Sequence, residues 1–386
     1  MSKRSQRSPS ADQNVLAKAW QHFPLRTQHL WLNLLLLAIP AAITLHLTHA
    51  GPVVVFVVAA IAIIPLAGVL GEATESLAVY SGPTMGGLLN ATMGNATELI
   101  IAFFALRAGP IEVVKASLAG SIIGNILLVL GLAILVGGFN RQKQVFSRTA
   151  AGANSTMLFV AVVALVMPAV FDLAVYGDLK DHGPTLQNLS LWTAGVLMLV
   201  YALSFVFVLK THKALFTVQP DETETVAHGH VMSKKAAGIA LVTATLAIAY
   251  MSEMLVGEIE AVTKSLGMTE LFVGVIIVAI VGNAAEHSTA ILVARENKMD
   301  LAMTIAVGSS TQIALFVAPL LVFLSMAVGH PMTLVFNAFE ISAIIVSVII
   351  VEMISSDGES NWFEGVMLLA VYALLAVAFY FVPAPQ

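Results

Sequence analysis

Cysteine is absent from this 386-residue chain, and charged residues are scarce. Without cysteine, neither a disulfide nor a thiolate metal site can form. Asp, Glu, Lys and Arg make up 11% of the residues and hydrophobic residues 58%, whereas a typical soluble domain carries about 25% charged residues. The composition therefore excludes an ordinary soluble protein and indicates an integral membrane protein.

Two motifs are also missing. No HExxH pair or other histidine cluster is present, which disfavours an intramembrane metallohydrolase. Residues 1–30 are polar and basic and lack the apolar core and cleavage site of a signal peptide. We therefore predict a cytoplasmic tail over 1–30, no enzymatic activity, no cofactor and no nucleic-acid partner.

Long apolar blocks fill the rest of the chain. They reach the roughly 20 residues that a membrane-crossing helix needs, and they lack the alternation typical of barrel strands. The predicted fold class is thus an all-α integral membrane protein in a lipid bilayer, with about 11 transmembrane helices. The predicted spans are 31–50, which leads, and then 53–78, 85–106, 111–138, 150–174, 188–209, 236–257, 269–293, 299–328, 333–354 and 362–382.

The loop charges predict the orientation of these spans. If the N-terminus is cytoplasmic, all but four of the 18 Lys and Arg residues lie inside, as the positive-inside rule requires. The exceptions are Arg107, Lys115, Lys180 and Lys264. An odd number of spans then leaves the C-terminus outside, and we expect the membrane to be a prokaryotic inner (plasma) membrane.

A polar segment divides the chain at residues 211–235. It combines acidic residues with His228 and His230. A solvated cytoplasmic linker and a regulatory cation-sensing segment are both consistent with this composition.

Two copies of one motif lie on either side of this linker. The stretch MGNATELI (93–100) matches VGNAAEHSTA (281–290) at an offset of 188 residues, and Gly120–Ser121 matches Gly308–Ser309 at the same offset. Residues 51–210 and 236–386 are therefore predicted to be two five-helix repeats. Since five spans separate equivalent points, the second copy runs in the opposite direction, as in many secondary transporters. The matched motif positions are Gly94 with Gly282, Asn95 with Asn283, and Glu98 with Glu286.

The motif residues predict an oxygen-rich site near the middle of the membrane. Asn95 and Glu98 are three residues apart and share one helix face, and Gly94 and Gly282 can loosen the backbone to expose a carbonyl. Two carboxylates and two amides suit a hard divalent cation, above all Ca²⁺. The neighbouring polar residues are either further ligands or contacts between helices: Ser121, Asn125, Ser309, Ser310 and Gln312.

Proton coupling follows from the same carboxylates. Protons and Ca²⁺ compete for Glu98 and Glu286. If the empty site reorients only when neutralised by one Ca²⁺ or by about two protons, obligatory exchange results.

Three further acids are candidate gates or relays: Glu72, Glu253 and Glu340. Glu72 and Glu253 could instead be interfacial acids that meet water, and Glu340 could be a structural partner of a serine or a backbone donor.

The paired motifs GNATELI and GNAAEHSTAI, followed by GSIIGN and GSSTQIALFVAPL, resemble the signature repeats of the cation/proton exchangers, the calcium/proton antiporter branch of the calcium/cation antiporter superfamily. The resemblance implies one leading helix and two inverted five-helix repeats, with Glu98 and Glu286 carrying the cation and Asn95 and Asn283 supporting it. It also implies Ca²⁺ export from the cytoplasm in exchange for protons. A sodium/calcium exchanger is the alternative, although its relatives carry a GTSxPE-like motif where this chain has GNAxE twice. A passive channel is less consistent with an inverted repeat.

Overall fold

The computed structural model describes residues 34–180, 182–211 and 231–383, which are almost entirely helical. The predicted tail and most of the 211–235 segment lie outside these ranges. The helices in the described ranges are α1 (Ala38–Leu47), α2 (Pro52–Met93), α3 (Ala96–Ala108), α4 (Ile111–Gly138), α5 (Arg148–Tyr176), α6 (Pro184–Val206), α7 (Lys234–Gly257), α8 (Ile259–Leu266), α9 (Glu270–Gly282), α10 (Ala284–Arg295), α11 (Met299–Val328), α12 (Ala338–Ser355) and α13 (Trp362–Phe381).

The number of membrane spans is bounded by helix length and composition. In the described ranges, 8 helices are long and apolar enough to cross a membrane, or up to 10 if each of two bent pairs is one span. The structure therefore confirms an all-helical multi-pass membrane protein, while the layout of 11 spans stays a prediction. Helix α1 has only 10 residues, fewer than the roughly 20 of a spanning helix. The predicted span 269–293 is divided at Asn283 into α9 and α10.

Several helices bend at identifiable residues. Helix α2 turns sharply at Gly82, whose φ of 77° is a conformation that side chains with a Cβ rarely adopt. After this turn, the segment Met85–Met93 meets α3 at 45°, and α8 meets α9 at 115°.

Short π-helical segments interrupt α4, α9 and α11, three of the helices that contribute residues to the candidate site. They cover Gly124–Val129 in α4, Val273–Val278 in α9 and Ile313–Val317 in α11. When the α4 segment is shifted by the repeat offset of 188 residues, its first residue falls within one residue of the start of the α11 segment. Such π segments change which side chains face a neighbouring helix and are frequent at functional sites.

The bundle has two distinct ends. At one end, strands β1 (Gln144–Val145) and β2 (Glu359–Ser360) pair antiparallel, and the Ser147 amide donates to Asp300 Oδ1 (2.6 Å). We call this the strand end. At the other, the Gly109 end, a Cβ built on Gly109 would lie 4.0 Å from His330. Helix α4 runs from the Gly109 end to the strand end and is about 40 Å long at 1.5 Å per residue.

Candidate cation-binding site

Both copies of the motif lie at breaks between helices. Helix α2 ends at Met93, and α3 begins after Asn95, whose φ and ψ are −97° and 22°. Helix α9 ends at Gly282, and α10 begins after Asn283, at −92° and 6°. Glu98 and Glu286 therefore occupy the first turns of α3 and α10, where the positive end of a helix dipole favours negative charge.

The two motifs face each other through their glycines. A Cβ built on Gly282 would lie 3.1 Å from Glu98 Cγ, and one built on Gly94 would lie 3.5 Å from Glu286 Oε1. Each glycine thus leaves room for the carboxylate side chain of the opposite motif. The sequence predicted exposed carbonyls at these glycines but did not reveal this reciprocal packing.

Amide and hydroxyl groups connect the two halves. Asn95 Nδ2 donates to Gln312 Oε1 (2.6 Å), and Ser309 Oγ donates to Asn95 Oδ1 (3.0 Å). On the other side, Asn125 Nδ2 donates to Asn283 Oδ1 (3.1 Å) and also lies 3.0 Å from Ser309 Oγ.

The network continues to α4. Asn283 Nδ2 donates to Ser121 Oγ (2.9 Å) and to the Ala279 carbonyl (2.9 Å). Ser310 differs from the other predicted ligands, because its hydroxyl is directed to the carbonyls of Ile122 (3.3 Å) and Ala306 (3.1 Å). The structure therefore gathers the predicted amides, Ser121, Ser309 and Gln312, while Ser310 acts as a contact between α4 and α11.

Three of the four carboxylate oxygens are left out of this network. Glu98 is buried, and neither of its oxygens has a hydrogen-bond partner among the described residues; the same is true of Glu286 Oε2. A buried carboxylate without a donor is strongly disfavoured unless a proton or a cation neutralises it. The chemistry of this arrangement therefore suits a proton or a hard cation.

Access to the two carboxylates is unequal. A cavity of about 1150 Å³ extends from Ser147 and Asp300 at the strand end to Glu286 and Gln312. Glu98 instead borders a void of about 10 Å³ under Ser117 of α4, which is room for about one water molecule. The site is thus approached from the strand end.

The remaining predicted acids lie away from the paired motifs. Glu72 and Glu253 are exposed and are not among the described residues that line the cavity; Glu75, three residues after Glu72, does line it.

Glu340 is fully buried at the start of α12. Its Oε2 accepts a hydrogen bond from the backbone N–H of Asn337 (2.9 Å), while Asn337 Oδ1 accepts one from the backbone N–H of Glu340 (2.9 Å). This reciprocal capping box favours the structural interpretation of Glu340.

Another group of possible metal ligands lies near the end of α5. His182 Nδ1 is 2.8 Å from Asp172 Oδ1, and its Nε2 is 3.3 Å from Asp178 Oδ1. Because both ring nitrogens already lie near a carboxylate oxygen, we interpret the group as a contact between α5 and the loop that follows it.

Comparison with known proteins places these features in context. The family model described as sodium/calcium exchanger protein matches residues 51–210 and again 236–381. The chain is 48% identical to the Ca²⁺/H⁺ antiporter of Synechocystis sp. over 363 residues, which cover 90% of this chain and 96% of that protein. It is 47% identical to the Ca²⁺/H⁺ antiporter of Aphanothece halophytica, with the same coverage. The solved structure of YfkE, a Ca²⁺/H⁺ antiporter protein, aligns with a TM-score of 0.77 and 42% identity, over 91% of this chain and 99% of YfkE.

Proposed function

Because the chain belongs to the sodium/calcium exchanger protein family, within its calcium/proton antiporter branch, we propose that it exchanges Ca²⁺ for protons across a membrane. One observation carries this proposal. Glu98 and Glu286 lie on opposite motifs, pack against each other's glycines, and retain buried oxygens without a hydrogen-bond partner in the described residues.

The site residues that we propose are Glu98 and Glu286, with Asn95 and Asn283 in support. Carboxylate and amide oxygens are ligands that Ca²⁺ prefers. Ser121, Asn125, Ser309 and Gln312 hold the amides through the hydrogen bonds described above. Their main role is to fix the orientation of Asn95 and Asn283.

Coupling follows from charge. Two carboxylates in one buried site repel each other when both are ionised and no cation is bound. One Ca²⁺ or about two protons remove this repulsion, and an empty charged site is costly to move through the membrane interior. Exchange then results because the protein reorients only when either Ca²⁺ or protons are bound.

We further propose the layout of one leading helix followed by two inverted five-helix repeats. The separate matches of one family model to 51–210 and 236–381 support it. So do the corresponding helix breaks at Asn95 and Asn283 and the π segments of α4 and α11.

The proposed orientation places the strand end in the cytoplasm. Contacts between loops support it, because each joins segments that the charge pattern puts on the same side: β1 with β2, and Arg141 with the Arg295 carbonyl (3.2 Å). The large cavity then faces the cytoplasm, where Ca²⁺ would load before export. Protons moving inward down their gradient would provide the driving force.

Ca²⁺ flux into proteoliposomes tests this function. An imposed pH gradient is expected to drive Ca²⁺ uptake, and an imposed Na⁺ gradient at equal pH is expected to leave it near the level without any gradient. The opposite result would support the sodium/calcium alternative. Passive equilibration of Ca²⁺ in the absence of both gradients would indicate a channel.

Matched substitutions test which residues are required for exchange. Glu98→Gln and Glu286→Gln keep side-chain volume but remove the charge, and each is expected to abolish exchange. Glu260→Gln changes an exposed acid in the α8 ion pair with Lys264 and serves as the control. Near-normal flux in either site variant would contradict the residue assignment.

A further inference from the structure

Helices α4 and α9 touch backbone to backbone between the site and the Gly109 end. A Cβ built on Gly120 would lie 2.1 Å from the Val275 carbonyl oxygen, and one built on Gly274 would lie 2.5 Å from Ala116 Cβ. Real Cβ atoms do not approach other atoms so closely. The two glycines are therefore required for this contact. Ser117 and Val278, which line the small void beside Glu98, lie within three residues of Ala116 and Val275 on the same two helices.

Three of the four equivalent positions of the other half face the large cavity, whereas the fourth, Gly86, the equivalent of Gly274, packs against the Ala78 backbone of its own helix. Shifted by 188 residues, Gly120 corresponds to Gly308, Val275 to Gly87 and Ala116 to Thr304. All three equivalents line the large cavity. Apart from its chain neighbours and the backbone of its own helix, no described atom lies within 4 Å of a Cβ built on Gly308. The α4–α9 contact is thus packed toward the Gly109 end, whereas the equivalent positions of α11 and α2 border the cavity that is open at the strand end.

We propose that Gly308 of α11 and Gly87 of α2 are positioning residues for transport, which pack against each other when the cavity closes. In that state the α4–α9 contact opens and exposes Glu98 to the Gly109 end. The inference rests on the proposed exchange function, because exchange requires that the site be reached from one end at a time.

A larger side chain at Gly308 is expected to oppose closure of the cavity. Valine has space in the cavity-open structure, since nothing described lies near the new Cβ. In the closed cavity its branched side chain would occupy the volume that lets two helix backbones meet. Overpacking of this kind is expected to lower the population of the cavity-closed state by about tenfold or more.

The absence of native cysteine allows a direct test with single reporters. Ser117→Cys lies beside the void under the α4–α9 contact, and Asn154→Cys lies on the cavity wall. The full chain is purified in detergent, so that both ends are accessible, and the rate of modification by a small methanethiosulfonate reagent is measured. With Gly308→Val, we expect Ser117→Cys to react about tenfold more slowly and Asn154→Cys to react at least as fast as in the parent.

Gly195→Val is the matched control. Gly195 lies in α6, and a Cβ there also meets no described atom within 4 Å, so the same helix substitution is made away from both contacts. Equal Ser117→Cys rates in Gly308→Val and Gly195→Val would overturn the inference. If Gly308→Val is not monodisperse, Gly308→Ala replaces it, with a smaller slowing expected and equal rates again contradictory.

The labelling result is independent of ion specificity. Slower Ser117→Cys labelling in a protein whose parent shows no Ca²⁺/H⁺ exchange would reject the proposed function and retain the paired contacts. Unchanged labelling in a protein whose parent exchanges Ca²⁺ for protons would reject the contacts alone.

Discussion

Replacing Gly282 with alanine tests the packing of the two motifs. The new methyl group would lie 3.1 Å from Glu98 Cγ, 3.7 Å from its Cα and 3.8 Å from its Cβ. Favourable carbon–carbon contacts lie at about 3.5–4.0 Å, so Glu98 must move by about 0.5 Å. Its backbone belongs to the buried first turn of α3, and the side chain therefore takes most of the displacement.

The size of the displacement sets the expected effect. Ca²⁺–oxygen distances fall within about 2.3–2.6 Å, so a shift of about 0.5 Å exceeds the range that a ligand can absorb without rearrangement. Overpacking a tight site costs about 1–3 kcal/mol. If about 1.4 kcal/mol of this overpacking energy destabilises the cation-bound state relative to the cation-free state, the apparent affinity for Ca²⁺ falls about tenfold.

The assay is the Ca²⁺ concentration dependence of proton-driven uptake in proteoliposomes. Gly282→Ala is expected to raise the half-saturating Ca²⁺ concentration about tenfold while the protein stays monodisperse. Gly195→Ala, at a helix position with open space around the Cβ in the described structure, is expected to leave it unchanged. An unaltered half-saturating concentration in Gly282→Ala would refute the claim that Glu98 is held against this glycine.

Substitutions at two further positions, Asn125 and Glu340, test residues to which we assign structural roles. Asn125→Ala leaves the buried Asn283 Oδ1 without its Asn125 donor. The free energy of unfolding, followed by thermal unfolding in detergent, should therefore fall by about 1–3 kcal/mol. An unchanged unfolding midpoint would contradict the hydrogen-bond network. Glu340→Ala removes half of the α12 capping box and should cost about 1 kcal/mol with exchange retained. Glu340→Gln, which keeps an oxygen acceptor for the Asn337 amide, should be closer to the parent, and loss of exchange in Glu340→Gln would instead assign Glu340 to the transport pathway.

The chemistry of the site was largely predictable from the sequence, because the doubled motif specifies both the residues and their correspondence. The structure brings Asn95 and Asn283 into one network with Ser121, Asn125, Ser309 and Gln312. These contacts join residues more than 150 positions apart, and spacing along one helix does not reveal them. Ser310 resembles Ser309 in sequence but points toward backbone carbonyls, since adjacent helical residues face different directions.

The difference between the two halves could not be predicted. Gly120 and Gly308 occupy matching positions of the two repeats, and each is followed by a serine, yet one is packed against Val275 and the other faces the cavity. Which half is open depends on the conformation adopted by the whole bundle. Likewise, hydropathy identified the apolar segment 269–293 but not its division at Asn283, because the break depends on local backbone geometry.

Counting the protons released when Ca²⁺ binds tests the central claim most directly. Purified protein is titrated with Ca²⁺ in weakly buffered detergent solution, near the pH at which exchange is fastest. Competition for Glu98 and Glu286 predicts the release of about one to two protons per Ca²⁺, reduced in either single glutamine variant and absent in the double variant. Stoichiometric Ca²⁺ binding without proton release, or undiminished release in the double variant, would contradict the account.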